Sequence, residues 1–254
     1  CTGGMLFIQA DYAPLIGVIV GVSALIPVAG AYVGAIVSAL LLALPLLPGD
    51  STLTLTSAPE SAPYIAMTEE VLAAAGISLY RTGSRYRIPG GQRYRLPSHL
   101  TVEGDWSSAA FFLCAGAMSR EGIAVDGLSL PTRQGDSALL PLLRQMGAEI
   151  NLSSGCITVR KGRLRATDID ARPIPDLIPP LSVLAAAAEG GSHIQNARRL
   201  RYKESDRLQG IAELLNSLGG CLTVDGDGLL IHGVSHLQGG TVDPMGDHRL
   251  AMSA

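Results

Sequence analysis

From residue 51 onward the apolar positions fall into short alternating or helically spaced runs. Ser51-Thr-Leu-Thr-Leu-Thr56 alternates polar and apolar side chains and predicts a strand. Ile65, Met67, Val71 and Leu72 carry helical spacing across 64–75, and Gly76 ends that helix before Ile77-Ser-Leu-Tyr80 opens another strand. The Arg-rich stretch 81–95 predicts two short strands around a turn at Pro89-Gly-Gly91, with its basic groups solvated. The order helix, glycine, strand then recurs, with Gly76, Gly147 and Gly219 about 71 residues apart. A second helix is predicted in each repeat, at 107–117 and 181–188, and starting again at Arg249. A period this long predicts repeated α/β subdomains, not a thin solenoid.

Residues 1–48 are patterned differently. No charged residue lies between Asp11 and Asp50, and the apolar run from Ala13 to Val37 is long enough to span a bilayer. Gly and Pro at this density suit a membrane bundle better than a soluble helix. The run has no basic start of the kind a secretory signal carries. A buried apolar element of a water-soluble domain is the other reading.

Composition narrows the picture. A chain of 254 residues accommodates one large or two small domains. A net charge of −3 gives no reason to expect nucleic acid as a partner. The four cysteines are scattered without a Cys-x-x-Cys pair, which argues against a zinc site or a disulfide framework and fits a reducing cytoplasm. His99, His193, His232 and His236 show no metal-ligand spacing. The chain starts at Cys1 and stops at Ala254 inside a predicted helix, so both ends read as cut.

Charge concentrates in one place. Arg198, Arg199, Arg201, Lys203 and Arg207 crowd together with Glu204 and Asp206 among them. The apolar spacing of Leu208, Ile211, Leu214, Leu215 and Leu218 follows, so the cluster lies at a turn entering a helix, with Ser205 or Asp206 as N-cap. Cations at a helix N-terminus suit phosphate or carboxylate groups; a solvated charged turn is the plain alternative.

The stretch Arg201-Tyr-Lys-Glu-Ser-Asp-Arg-Leu208 resembles the Lys-Glu-Ser-Asp-Arg signature of the 3-phosphoshikimate 1-carboxyvinyltransferase (EPSP synthase) family. Ser61-Ala-Pro-Tyr64, Val102-Glu-Gly-Asp-Trp-Ser-Ser-Ala109, Gln134-Gly-Asp136, Ile174-Pro-Asp176 and Asp247-His-Arg-Leu-Ala-Met252 follow the family's order, from about Ser38 to Ala254. The resemblance implies a two-domain α/β architecture of βαβαββ units, with 39–100 a remnant of the first domain and 101–254 an incomplete second domain. It implies transfer of an enolpyruvyl group from phosphoenolpyruvate to the 5-hydroxyl of shikimate 3-phosphate in the cytoplasm, with no metal or organic cofactor. Such chemistry needs a base, an acid and cations for phosphates and carboxylates.

Residue by residue, the resemblance implies Asp176 as base, Lys203 beside it, Glu204 as candidate proton donor, and Arg207 with Arg249 as the phosphoenolpyruvate clamp. Ser61 and Tyr64 would contact shikimate 3-phosphate. Without the resemblance, Asp176 reads as an N-cap, Lys203 as a surface lysine, Glu204 as a helix-start glutamate, Ser61 as a cap and Tyr64 as a packed side chain. Asp105 with Ser107 and Ser108 reads as a helix cap, and Asp136 reads the same way. Arg199 stands where some members have a substrate-binding Asn, and that contact is not carried over.

The family's N-terminal lysine-serine-arginine group, Gly-rich loop, first-domain arginine and C-terminal lysine have no match. Its Ser-Ser-Gln stretch is replaced by Val33-Gly34-Ala35. Little or no activity is expected of this chain alone. Residues 1–38 resemble a Leu-Ile-Pro-x-x-Gly-x-x-x-Gly-Ala region of autoinducer-2 exporter-like membrane proteins, which implies a foreign segment joined near residue 38, with membrane association through residues 12–48 if it is genuine. Two further readings stand beside the first: a UDP-N-acetylglucosamine enolpyruvyl transferase of the same superfamily, and a transporter-like chimera without catalysis.

Overall fold

The computed structural model describes residues 6–9, 29–57, 59, 62–153 and 155–254, with the backbone alone for 6–9 and 29–34. The chain divides into two units, residues 1–101 and 102–254.

The first unit contains β1 (Leu6–Gln9), α1 (Ala29–Ala43), β2 (Ser51–Leu55), α2 (Ala62–Ala74), β3 (Tyr80–Thr82) and β4 (Arg85–Ile88). The strands form one sheet in the order β1-β2-β4-β3, with every pairing antiparallel. The alternation read in β2 places Ser51, Leu53 and Leu55 inward. Those leucines pack with Val37, Leu41, Ile65, Leu72, Tyr86 and Ile88, and Thr68 Oγ1 on α2 donates to Ser38 Oγ at 3.0 Å. The junction read near residue 38 therefore lies inside one unbroken helix whose buried side joins this core. At 15 residues α1 rises about 22 Å, short of the ~30 Å hydrocarbon core. Among the described residues no helix is long and apolar enough to cross a membrane. Most of the run read as a possible span, residues 10–28, lies outside the described residues.

One hairpin differs from the expectation. β3 and β4 turn at Gly83-Ser84, not at Pro89-Gly-Gly91. Gly83 adopts φ +59°, the left-handed conformation that a two-residue hairpin turn needs at its first central position. Gly90 and Gly91 instead carry the chain back past residues 45–49: Gly91 N donates to Leu47 O, and a Cβ on Gly90 would lie 2.2 Å from Gly49 O.

The second unit runs α3 (Trp106–Met118), β5 (Ile123–Asp126), α4 (Leu139–Gln145), β6 (Glu149–Ser153), β7 (Cys156–Arg160), β8 (Ile169–Asp170), α5 (Ile178–Ala186), β9 (Gly191–Gln195), α6 (Arg207–Ser217), β10 (Cys221–Asp225), β11 (Gly228–His232) and α7 (His248–Ser253). From β8 to β11 it completes one βαβαββ repeat. That repeat's sheet has the order β10-β11-β9-β8, with β8 and β9 parallel across the α5 crossover. The segment before it, from α3 to β7, repeats the pattern without an opening strand and builds the sheet β5-β7-β6.

The helices lie inside and the sheets outside. α3 and α5 are apolar nearly all round, so both are buried centrally. Leu113, Leu143, Val159, Leu181, Leu184, Ile194, Leu214 and Ile231 join in one core. Gly116 permits close docking of α3, since a Cβ there would lie 2.7 Å from Val159 O.

The three glycines that mark the repeat end α2, α4 and α6 in one way. Gly76, Gly147 and Gly219 have φ of +74°, +93° and +81°. Each donates to the carbonyl three residues back, and each following residue donates to the carbonyl five residues back: Ile77 to Leu72, Ala148 to Leu143, Gly220 to Leu215. This pair of hydrogen bonds closes orphan carbonyls of a helix end and requires a left-handed residue, which favours glycine.

Candidate active site

The charged groups of the second unit gather where three short segments meet. Pro175-Asp176-Leu177 forms a 3-10 turn entering α5. Arg198–Tyr202 forms another, followed by Lys203 and Glu204 on the way to α6, and Asp247 starts α7. Asp206 caps α6 by accepting from Gln209 N at 3.1 Å.

Asp176 is not the N-cap that its position alone suggests: Leu177 takes the cap position of α5 with no side-chain capping bond, and Asp176 lies within the 3-10 turn before it. The Asp176 side chain is instead 12% exposed and surrounded by cations. Oδ1 lies 3.1 Å from Lys203 Nζ, 2.9 Å from Arg207 Nη1 and 3.6 Å from Arg249 Nε. Burial pushes this carboxyl upward, but Lys203, Arg249 and Arg207 outweigh burial and hold it below its ordinary value.

Arg207 is fully buried. Its Nε donates to Asp247 Oδ2 at 2.7 Å, Nη1 to Asp176, and Nη2 both to Glu204 Oε2 and to Asp247 Oδ1. A guanidinium has five N–H donors, and carboxylates take four of these. Arg207 thus acts as the anchor of the cluster. Arg249 is more available: its Nη1 is buried and has no hydrogen-bond partner among the described residues. Glu204, with its side chain half exposed, reaches solvent while Arg207 holds it.

Asp247 was not singled out from the sequence. It is 1% exposed, caps α7 by accepting from Arg249 N at 2.9 Å, and also accepts from Ser205 Oγ at 3.1 Å. Burial raises its carboxyl, and the Arg207 hydrogen bond with its neighbours brings it below the ordinary value. Its place before a helix start signals a cap; its bond to Arg207 joins positions 40 apart and has no local signal.

The five-cation cluster separates in space. Lys203 and Arg207 face Asp176, whereas Arg201 pairs with Asp206 at 3.0 Å and donates to Gly226 O at 2.8 Å, tying the segment to the β10–β11 turn. Asp105 caps α3 through Ser107 N and Ser108 N, as read. Asp136 does not cap: the turn Gly135–Ala138 has Gln134 at its cap position with no side-chain bond. Gln134 itself explains this, because its side chain bonds Trp106 N and Gly104 O and fixes the turn against the start of α3. Tyr64 sits on α2 of the first unit, 52% exposed. Ser61 lies outside the described residues. Among the described residues no group of three or more His, Cys, Asp or Glu is arranged to hold a metal ion.

The arrangement is one ionised carboxylate held by three cations, one of which has an open donor, beside a half-exposed glutamate. It suits an anionic ligand and the transfer of a proton.

Comparison with known proteins gives this arrangement a family context. The profile of the family described as EPSP synthase (3-phosphoshikimate 1-carboxyvinyltransferase) matches residues 9–254, starting ahead of residue 38 where the motif resemblance begins. The chain is 41% identical over 235 residues to 3-phosphoshikimate 1-carboxyvinyltransferase of Methanosarcina mazei, covering 90% of this chain and 54% of that protein. It is 41% identical over 220 residues to the protein of that name from Clostridium kluyveri, covering 85% and 51%. Among solved structures, EPSP synthase from Acinetobacter baumannii matches with a TM-score of 0.71 and 28% identity, over 86% of this chain and 52% of that one. The enolpyruvyl transferase NikO from Streptomyces tendae shares the fold, with a TM-score of 0.61 at 22% identity. The chain spans about half the length of the curated relatives it matches.

Proposed function

We propose, from the premise that this chain belongs to the EPSP synthase (3-phosphoshikimate 1-carboxyvinyltransferase) family, that it carries one part of an enolpyruvyl-transfer site. The reaction joins the enolpyruvyl group of phosphoenolpyruvate to the 5-hydroxyl of shikimate 3-phosphate and releases phosphate. The observation that carries this reading is the convergence of Lys203, Arg207 and Arg249 on Asp176.

In this reading Asp176 is the base and Lys203 orients it and the hydroxyl. Arg249, with its open Nη1, is the leading contact for phosphoenolpyruvate, and Arg207 is the second, buried member of the clamp. A carboxylate held below its ordinary value is a weak base. An anion that draws Lys203 and Arg249 toward itself weakens their hold on Asp176 and raises its proton affinity, so binding readies the base. Glu204, open to solvent, exchanges the proton delivered to the methylene carbon. Ser61 and Tyr64 contribute to the shikimate 3-phosphate side.

The test is phosphate release by the purified chain supplied with both substrates, with phosphoenolpyruvate binding measured by calorimetry. The expected result is little or no turnover, with measurable binding that Arg249→Ala weakens at least about tenfold, as loss of a charge-assisted bidentate contact does. Robust turnover would overturn the expected inactivity of this chain. Binding indifferent to Arg249→Ala would overturn the site assignment. UDP-N-acetylglucosamine in place of shikimate 3-phosphate separates the sister activity of the superfamily.

A further inference from the structure

We propose that the first unit holds a separate small-ligand site, a cleft between α2 and β3 where Glu69 and Arg81 take the ammonium and carboxylate of a free α-amino acid with an apolar side chain. The site lies wholly within the first unit and does not depend on the reading of the charged cluster in the second. The cleft encloses about 270 Å³. That is just below the ~300–1,000 Å³ common among ligand pockets, so the occupant is a small molecule. Glu69 and Ala73 of α2, Ser78 and Leu79 of the following segment, and Arg81 of β3 line it, with Tyr86 behind them.

The charged end of the cleft is held in place from behind. Glu69 Oε1 accepts from Arg81 Nη1 at 3.0 Å and from the Tyr86 hydroxyl at 2.5 Å. Tyr86 is fully buried, so Glu69 is tied to the core of the unit. Burial, then the bond to Glu69, pushes the Tyr86 phenol upward, and it remains an O–H donor at neutral pH. Arg81 donates from Nε to Gly83 O at 3.2 Å, and its guanidinium lies 5.2 Å from the centre of the Tyr86 ring. Both side chains still reach solvent, at 30% exposure for Glu69 and 45% for Arg81. Glu69 Oε2 and Arg81 Nη2 make no hydrogen bond among the described residues.

An acceptor and a donor of opposite charge, in direct contact and each with a side left over, select their ligand by sign. An anion alone meets Glu69 beside Arg81, and a cation alone meets Arg81 beside Glu69; like charges so close are penalised. A molecule that carries both signs satisfies both. An α-amino acid carries them on one carbon, at the separation that a contacting pair requires. Its side chain then lies along Ala73 and Leu79, and Leu79 is itself packed against the core of the unit.

The experiment titrates the full chain with L-leucine and follows backbone amide resonances by NMR. Millimolar leucine is expected to shift the amides of Ser78, Leu79 and Arg81. Isoamylamine, which is leucine without its carboxylate, and isocaproate, which lacks the ammonium, are expected to bind at least about tenfold more weakly, as loss of a hydrogen bond between charged groups does. Glu69→Gln keeps an oxygen for the Tyr86 hydroxyl but loses the charge, and Arg81→Gln removes the cation; each is expected to weaken leucine about tenfold. Arg85→Gln, on the opposite face of β4 from Tyr86, is the control and is expected to bind as the native chain does. The ligand series needs no variant, so it decides the matter even where a variant misfolds. No shift at these amides, equal binding of the three ligands, or native affinity in both charge variants would overturn the proposal. None of these results bears on phosphoenolpyruvate binding by the second unit, so the two readings fail separately.

Discussion

The helices α4 and α6 end alike and begin differently. Both close on a left-handed glycine with the same pair of backbone hydrogen bonds. At their beginnings they have little in common. α4 emerges from a turn with no side-chain cap, whereas α6 starts from a capping aspartate and then buries an arginine completely. Closing a helix end needs only backbone geometry, so one solution serves every repeat. Helix starts expose N–H groups and a positive dipole end, where charge is favoured and diversity has chemical use. In this chain the proposed chemistry collects at the entries to α5, α6 and α7.

The comparison can be broken hardest at a start. Asp247→Ala leaves Arg207 buried without its main partner, and a loss of about 3–5 kcal/mol is expected in urea unfolding. Among the ends, identical hydrogen bonds conceal unequal surroundings. A Cβ on Gly147 would lie 2.3 Å from Arg163 O, whereas on Gly76 the nearest atom is Arg95 Cβ at 3.7 Å and on Gly219 it is Gln238 Cγ at 3.4 Å. Gly147→Ala is therefore expected to cost more than the other two, which should each cost about 1–2 kcal/mol through backbone strain alone. Equal losses at all three would show that the strain, not the contact, governs these ends.

Smaller effects sharpen the contrast at the starts. Asp105→Ala removes a cap of the ordinary kind and should cost about 1 kcal/mol. Asp136→Asn should act in the opposite direction, raising stability at neutral pH by on the order of 1 kcal/mol. The raised Asp136 carboxyl contributes stability that is present below its unfolded value, near 4, and is lost as pH rises through about 6. Asp176 and Asp247 have lowered carboxyls, so their contribution is present above the unfolded value and lost as pH falls below it. Unfolding midpoints measured from pH 3 to 7 in the native chain and in Asp136→Asn test both signs.

The parts of the fold governed by neighbours in sequence were legible there. The alternation in β2, the three helix-closing glycines and the Asp105 and Asp206 caps depend on residues within a turn of one another. The β3–β4 hairpin was misplaced because two glycines at 90–91 advertise a turn more loudly than Gly83, although their role is to pass close to residues 45–49. In the candidate site, the family motifs marked Asp176, Lys203, Glu204, Arg207 and Arg249 but not how deeply each is buried. The complete burial of Arg207 goes with its bonds to Asp247, 40 positions away, and the turn that carries Asp136 is fixed by the bond from Trp106 N to Gln134, 28 positions apart. Contacts of that range carry no periodicity for a sequence to display.

The Arg207–Asp247 pair has a consequence for inheritance. Because the fold itself depends on these two charges, selection for folding alone preserves them in a descendant that no longer turns over substrate. Their presence in the chain records ancestry and structural integrity together. The side chains that folding does not hold so firmly are Glu204, half exposed, and Arg249, with its open nitrogen. In lineages released from catalysis these two positions should drift first, while the buried pair stays.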